Sequence, residues 1–342
     1  MKIIHCADIH LDSPMNTTLN NNLAVQRRHE LLITFIRMNE YALENHVEMI
    51  LIAGDLFDTE FVTENTRQQV MAVMEHNRDI QYVYIEGNHD EGAFIRSMVN
   101  KPGNLHCLMN GQSFDYRDIT VLAQDSPGHI ELESERINIV MLHGEVDIKA
   151  FAGKNIDYLA MGHIHSYGSR AIDARGIACY SGCLEGRGFD ETGKKGFVLL
   201  DADAGLRVTH RFIPFASRQI IDCRVKAENC SNTAQVRERI EEALKKIDAG
   251  KKDIVRVRLT GRVLADFSFS RGFLEKSFEG QYFSFSVEDK ELKPLPCDSL
   301  YYGDTSLRGT FIKNVMESDE AEEDKQKIIE LGIAVLSGEE PE

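Results

Sequence analysis

Asp8-Ile9-His10, Gly54-Asp55, Gly87-Asn88-His89-Asp90, His143-Gly144 and Gly162-His163-Ile164-His165 are short stretches built around metal-ligating side chains. Their donors are carboxylate and amide oxygens and imidazole nitrogens, with no thiolate among them. That mixture suits Mn²⁺, Fe²⁺ or Zn²⁺ better than Ca²⁺. Asp8, His10, Asp55, Asn88, His143, His163 and His165 are too many for one ion and suit a pair sharing a carboxylate. Two divalent ions roughly 3.5–4 Å apart can clamp the attacking and leaving oxygens of a phosphoryl group and activate a water between them. Asp55, at its own strand end between the other ligands, is the candidate bridge. His89, directly after Asn88, stands where an imidazole outside the ligand set can protonate a leaving oxygen.

Each stretch follows a run that reads as a buried strand: Lys2–Ala7, Val47–Ala53, Gln81–Glu86, Ile137–Leu142 and Tyr158–Met161. Residues at the carboxyl ends of neighbouring strands converge, and open α/β sheets place their ligands there. Ala24–Asn45 has apolar residues at helical spacing, and Thr63–Asn77 reads as a second helix. Strands then follow in closer succession, over Asp118–Leu122, Ile177–Ser181 and Gly196–Asp201. Alternation followed by a strand-rich half predicts an α/β architecture of two packed sheets flanked by helices.

A different rhythm begins near Ala216. A strand over Gln219–Val225, a helix over Thr233–Ile247 capped by Ser231 or Asn232, a strand over Lys251–Val263, a helix over Phe269–Phe278 and a strand over Tyr282–Val287 predict a small α+β domain. Pro294 and Pro296 end it, and terminal helices follow over Leu307–Met316 and Asp319–Leu336. The expected divisions are 1–215, 216–300 and 301–342, the last with an acidic tail.

The 342 residues carry a net charge of −16, unusual for a protein that handles DNA. Roughly half of it falls after Val315, whereas Arg237–Arg262 has a local basic excess. Steering follows the local field rather than the total, so nucleic acid is not excluded. No apolar run reaches the ~20 residues that span a bilayer, and the N-terminus has no secretory pattern. The seven scattered cysteines contain no C-x-x-C, which points to reduced thiols in a cytoplasm.

In this order, D-x-H, G-D, G-N-H-D, H-G and G-H-x-H resemble the calcineurin-like metallophosphoesterase superfamily. Ala7-Asp8-Ile9-His10-Leu11-Asp12, Ala53-Gly54-Asp55-Leu56-Phe57-Asp58 and Tyr180-Ser181-Gly182 followed by Glu191-Thr192-Gly193-Lys194-Lys195-Gly196 are similar to the SbcD-type DNA repair exonucleases, particularly their YhaO-like bacterial branch. The resemblance implies a four-layer αββα sandwich of two packed mixed sheets with a smaller α+β cap domain facing DNA. It implies that Asp8, His10, Asp55 and His165 hold one ion, most often Mn²⁺, and that Asp55, Asn88, His143 and His163 hold the second. It also implies 3′-to-5′ exonuclease and single-strand endonuclease activity on DNA. The terminal helices would dock an SbcC or Rad50-like SMC-type ATPase, and a homodimer would form through the Ala24–Asn45 helix or the cap. Some relatives carry His where this chain has Asp58, so no catalytic role carries over there.

Several residues keep two readings. Asp90 reads as a carboxylate orienting His89 or as the N-cap of a helix over Glu91–Val99. Asp12 and Asp58 read as groups behind the ligands or as loop and cap residues. Arg187, Lys194 and Lys195 read as phosphate contacts or as loop cations, and Lys245, Lys246, Lys251 and Lys252 as a DNA contact or a solvated helix end. A phosphodiesterase of small molecules such as cyclic nucleotides, or a non-catalytic scaffold for an ATPase, are the alternative functions.

Overall fold

Strands that are apolar at nearly every position need cover on both faces. β1 (Lys2–Cys6), β2 (Val47–Ala53) and β3 (Gln81–Ile85) have it in the computed structural model, which describes residues 1–15, 21–58, 62–90, 101–203, 205, 207–228, 230, 232–263, 267, 269–294 and 306–336. The helix expected over Glu91–Val99 and the stop at Pro296 lie outside the described residues. β1, β2 and β3 run parallel, with Cys6 beside Ile52 and Ala53 beside Ile85, so their carboxyl ends line up. β4 (Leu105–Cys107) extends this sheet on one side. Antiparallel β11 (Gly196–Ala202) and β12 (Val208–Pro214) extend it on the other, giving the order β12-β11-β1-β2-β3-β4.

The second sheet has the order β5-β6-β7-β8-β10-β9. It comprises β5 (Ser113–Tyr116), β6 (Ile119–Ala123), β7 (Ile137–His143), β8 (Tyr158–Gly162), β9 (Gly168–Ala171) and β10 (Ile177–Tyr180). β6, β7, β8 and β10 are parallel, and the register sets His143 beside Gly162.

Strand alternation sorts the side chains into layers. Ile4, Cys6, Ile50 and Ile52 face two helices, α1 (Asn21–Glu44) and α2 (Glu64–His76), and pack with Leu31, Phe35, Met38, Val70 and Met74. Ile3, Met49, Leu51 and Val83 point the other way and meet Val121, Ile139, Met141 and Ala160 of the second sheet. The outer residues of that sheet, Val140, Leu142, Leu159 and Met161, are covered by Phe151 of a 3₁₀ turn (Ile148–Phe151) with Ile156 and Ile172. The fold is thus α/β, two packed mixed sheets with helices. Each fully buried aliphatic side chain contributes roughly 1.5–3 kcal/mol, and the expected ligands supply none of this apolar packing. The scaffold that aligns the strand ends therefore does not depend on them. At the start of α2, Thr63 caps the helix by accepting from Thr66 N at 3.2 Å, and Asp12 accepts from the Thr63 and Thr66 hydroxyls at 2.9 and 2.8 Å. Asp12 thus braces the Thr63 cap from a distant loop.

The chain divides into two compact units, Met1–Ile221 with Lys252–Ile254, and Asp222–Lys251 with Val255–Glu342. The second is built on a sheet of order β13-β14-β15, from β13 (Ile220–Lys226), β14 (Ile254–Val263) and β15 (Ser284–Pro294). α3 (Thr233–Lys246) is capped by the Asn232 side chain, accepting from Gln235 N at 3.1 Å, and buries Val236, Ile240 and Leu244. α4 (Arg271–Ser277) follows. α5 (Leu307–Met316) and α6 (Glu322–Leu336) pack together through Ile312 and Ile329. Among the described residues no helix is long and apolar enough to cross a membrane.

Candidate metal centre

Four of the expected ligands hold backbone angles that side-chain-bearing residues rarely adopt: Asp8 (φ 50°), His10 (φ 50°), Asp55 (φ 51°) and His163 (φ 99°). Each such residue costs on the order of 1–3 kcal/mol and persists only where its surroundings dictate it. Here Asp8 N donates to Gly54 O at 3.1 Å, His10 N to Asp55 O at 3.0 Å, and His163 N to the two Asp8 carboxylate oxygens at 3.0 and 3.1 Å. The strand ends are therefore knitted to one another at the residues that carry the chemistry.

The glycines beside the ligands make room for their neighbours. A Cβ on Gly54, which has φ 87°, would lie 2.3 Å from His143 Nδ1. One on Gly87 would lie 2.1 Å from Asp55 Oδ1 and 2.4 Å from Asp55 N. The G-D and G-N-H wording thus has a steric cause, close approach of one ligand strand to the next.

The donors converge in adjoining groups. Asp8, His10 and His165 offer atoms within 4.8 Å of one another, as do Asp8, Asp55 and His143. Asn88 Oδ1 lies 2.9 Å from His143 Nε2 and 3.3 Å from His163 Nδ1. Asp55 Oδ2 stands 3.3 Å from His143 Nε2 and 3.7 Å from His10 Nε2, between the two sides of the cluster. His89 groups with His10 and Asp58. Its ring packs edge-on against His10 with centroids 5.1 Å apart, and its side chain is 47% exposed. Its backbone N donates to Asp55 Oδ1 at 2.9 Å.

The imidazoles are oriented from behind. His165 Nδ1 pairs with Glu191 Oε1 at 2.7 Å, and His143 Nδ1 with Ala53 O at 2.9 Å. His10 Nδ1 makes no well-aligned hydrogen bond, yet Asp58 Oδ1 stands 2.8 Å away. When Nδ1 carries the proton, Nε2 presents its lone pair. The Nε2 atoms of His10 and His165 face each other at 3.3 Å, close enough for the two nitrogens to share a proton or, with both lone pairs free, a cation. The residues present fit a bound divalent ion, and among the grouped donors none is a thiol.

The charges are perturbed in opposite directions, a pattern typical of functional sites. Burial pushes the Asp8 carboxyl up, only partly offset by His143, His165 and His10. Burial acts the same way on Asp55, but the hydrogen bond and charge of His143 outweigh it and hold the carboxyl below the ordinary range. Asp58 is brought down to about 2, its contacts with His10, Ser13 and Arg187 overcoming burial. Glu191 raises the pKa of His165.

Sequence reasoning left several supporting residues open or missed them. Asp90 is buried and accepts from Gly87 N at 2.9 Å, Phe57 N at 3.0 Å and Leu56 N at 3.4 Å, so it clamps the Asp55 and Asn88 loops together. Glu191 stands in the Glu191-Thr192-Gly193-Lys194-Lys195-Gly196 run, and no local pattern marks it as a partner of His165. Arg187 and Lys195 are engaged within the protein. Arg187 Nη1 donates to Asp58 Oδ1 at 2.8 Å, and Lys195 Nζ, on a residue only 3% exposed, donates to His165 O at 2.5 Å. In the second unit Arg256 and Arg258 both bond Asp222, and Arg237 pairs with Glu241 at 2.8 Å. Lys245, Lys246, Lys251 and Lys252 are exposed.

Comparison with known proteins follows the same lines. Residues 1–167 match the calcineurin-like phosphoesterase family. The chain is 24% identical over 240 residues to the uncharacterized metallophosphoesterase YhaO of Bacillus subtilis, covering 60% of this chain and 58% of that protein's length. It is 23% identical over 340 residues to the DNA double-strand break repair protein Mre11 of Saccharolobus solfataricus, covering 88% of this chain and 81% of the relative. Mre11 of Sulfurisphaera tokodaii is 24% identical over 301 residues, with 76% and 74% covered.

Proposed function

We propose that this protein, whose residues 1–167 match the calcineurin-like phosphoesterase family, is a two-ion phosphodiester hydrolase acting on DNA. The observation that carries the reading is the convergence of Asp8, His10, Asp55, Asn88, His143, His163 and His165 on two adjoining groups of donors. Asp8, His10, Asp55 and His165 would hold one ion, and Asp55, Asn88, His143 and His163 the other. The position of Asp55 Oδ2 between His10 and His143 supports its role as the bridge. Bound ions would offset charge on the phosphoryl oxygens and acidify a water, and the oxygen and nitrogen donors suit Mn²⁺.

The remaining work falls to the chain. His89 is fixed by its backbone bond to Asp55, yet its ring is exposed to an incoming substrate. Its Nδ1 lies 3.8 Å from Asp58 Oδ1, which leaves the ring at the edge of the donor cluster, where an imidazole can give a proton to the departing sugar oxygen. Asp58 and Glu191 hold the His10 and His165 rings, and Asp90 keeps the Asp55 and Asn88 loops in register.

DNA as substrate, in a 3′-to-5′ exonuclease and single-strand endonuclease role, is supported by the likeness to two DNA double-strand break repair proteins. An SbcC or Rad50-like ATPase partner is supported by α5 and α6. They border a groove of about 550 Å³ lined by Leu307, Phe311, Ile328, Leu331 and Val335, which suits an apolar helix face. Six described cysteines are free thiols, compatible with the cytoplasm. Cleavage of end-labelled duplex DNA should be compared with that of a small chromogenic diester, each in Mn²⁺ and in Mg²⁺. The proposal expects Mn²⁺-dependent shortening of the duplex; cleavage of the small diester alone would refute DNA as the substrate.

A further inference from the structure

The loop from Ser181 to Gly196 grips the far side of one half of the metal centre. Arg187 Nη1 reaches Asp58 Oδ1 at 2.8 Å, while its Nε and Nη2 reach Glu191 Oε1 at 3.1 and 2.8 Å. Those two carboxylates stand behind His10 Nδ1 and His165 Nδ1, at 2.8 and 2.7 Å. One guanidinium thus joins, from outside, the two rings whose Nε2 atoms face each other at 3.3 Å. The planar fork of Arg suits this task, because it fixes two acceptors in one geometry. Glu191 is held twice, since Oε2 also accepts from Arg187 N at 2.7 Å. Lys195 fixes the His165 backbone at its carbonyl.

The loop has its own anchor. Buried Glu185 accepts from Thr34 Oγ1 at 2.7 Å, Ser217 N at 2.5 Å and Arg27 Nη2 at 3.2 Å, and Arg27 donates again to Gly186 O at 2.7 Å. The other half of the centre is built differently. His143 Nδ1 is set by Ala53 O at the end of β2, and Asn88 Oδ1 meets His143 and His163. These contacts do not involve the loop.

We propose that Arg187 is a positioning residue for the His10–His165 half of the centre and leaves the Asn88–His143–His163 half unaffected. Without the guanidinium, Asp58 and Glu191 are two largely buried carboxylates with no cation to hold them at this spacing, so both rings lose their shared support. The inference rests on the two-ion reading given above.

Titration calorimetry with Mn²⁺ on the full chain tests it. Wild type is expected to show two binding events. In Arg187→Met one event should weaken roughly 10–100-fold and the other change by less than about twofold. His163→Ala, which removes a ligand from the opposite half, should instead weaken the event that Arg187→Met leaves intact. Arg187→Lys, which keeps the charge without the fork, should fall between wild type and Arg187→Met. Two unchanged events in Arg187→Met would overturn the proposal. So would equal weakening of both events together with a lower melting temperature of the metal-free protein, the result expected of a residue that merely supports the fold. If Arg187→Met does not fold, Glu191→Gln keeps the shape and one acceptor, and it must weaken the same single event or the proposal fails. A wild type without Mn²⁺ binding would refute the two-ion reading itself, a distinguishable result.

Discussion

Gly87→Ala removes no donor, yet it should disable the centre. The new Cβ would stand 2.1 Å from Asp55 Oδ1 and 2.4 Å from the Asp55 backbone N. A rotamer change relieves the first contact but not the second, so one loop must retreat by about 1 Å, and a displacement of that size can cost ~100-fold in rate. The retreat is not absorbed elsewhere, because Asp55 Oδ1 also accepts from His89 N at 2.9 Å and Asp90 ties Gly87 to Phe57. Overpacking of this kind costs roughly 1–3 kcal/mol, so the protein should remain folded. Hydrolysis of bis(4-nitrophenyl) phosphate in Mn²⁺ should fall about 100-fold, with Mn²⁺ affinity reduced and a cooperative melting transition retained. Gly103→Ala is the control: its Cβ meets no atom within 4 Å, and it should behave as wild type. Wild-type turnover and Mn²⁺ affinity in Gly87→Ala would refute the argument that close strand approach sets the ligand geometry.

Three further outcomes are expected. His89→Gln should keep its metal by elemental analysis while cleavage falls by roughly 10²–10⁴; full activity would remove His89 from the mechanism. Glu30 is held below the ordinary carboxylate range: burial raises it, but hydrogen bonds from Arg218 and Arg27 outweigh burial. A depressed carboxylate adds stability that is present above its unfolded pKa and lost as pH falls through the folded value. Glu30→Gln should therefore melt lower than wild type at pH 7, and the gap should close as pH falls below the usual glutamate pKa of about 4.3; a gap that widens on acidification would contradict the assignment. Buried Asn104 shares the two N–H groups of Nδ2 among Met74 O, Asn77 O and Ile80 O, at 2.9, 3.0 and 2.9 Å, so Asn104→Ala should cost about 1–3 kcal/mol in urea unfolding without altering Mn²⁺ affinity.

The amino-acid sequence by itself determined the strand ends, the donor types and their order. Apolar runs such as Val47–Ala53 are local signals, since a strand covered on both faces must be apolar throughout. The glycines beside Asp55 and Asn88 are local too, because lack of a Cβ is a property of one residue. Short or edge strands were not legible. Gly168–Ala171 has no apolar pattern and becomes a strand only by pairing antiparallel with β10. Leu105–Cys107 is too short to show a period, and its place is set by β3.

Only the tertiary structure decided which charged side chains stand behind the ligands. Asp58 and Arg187 are 129 residues apart in the chain, and Leu56 and Asp90 are 34 apart. Arg187 and Lys195 read as candidate phosphate contacts from their loop, yet the fold spends them on Asp58, Glu191 and His165 O. Asp12 meets Thr63 and Thr66, and Asp90 meets Gly87 and Phe57, only once the fold brings those segments together. Ligand identity follows from chemistry that a residue carries wherever it lies. Orientation depends on distances between segments that meet only when the sheets close, and no local pattern encodes those.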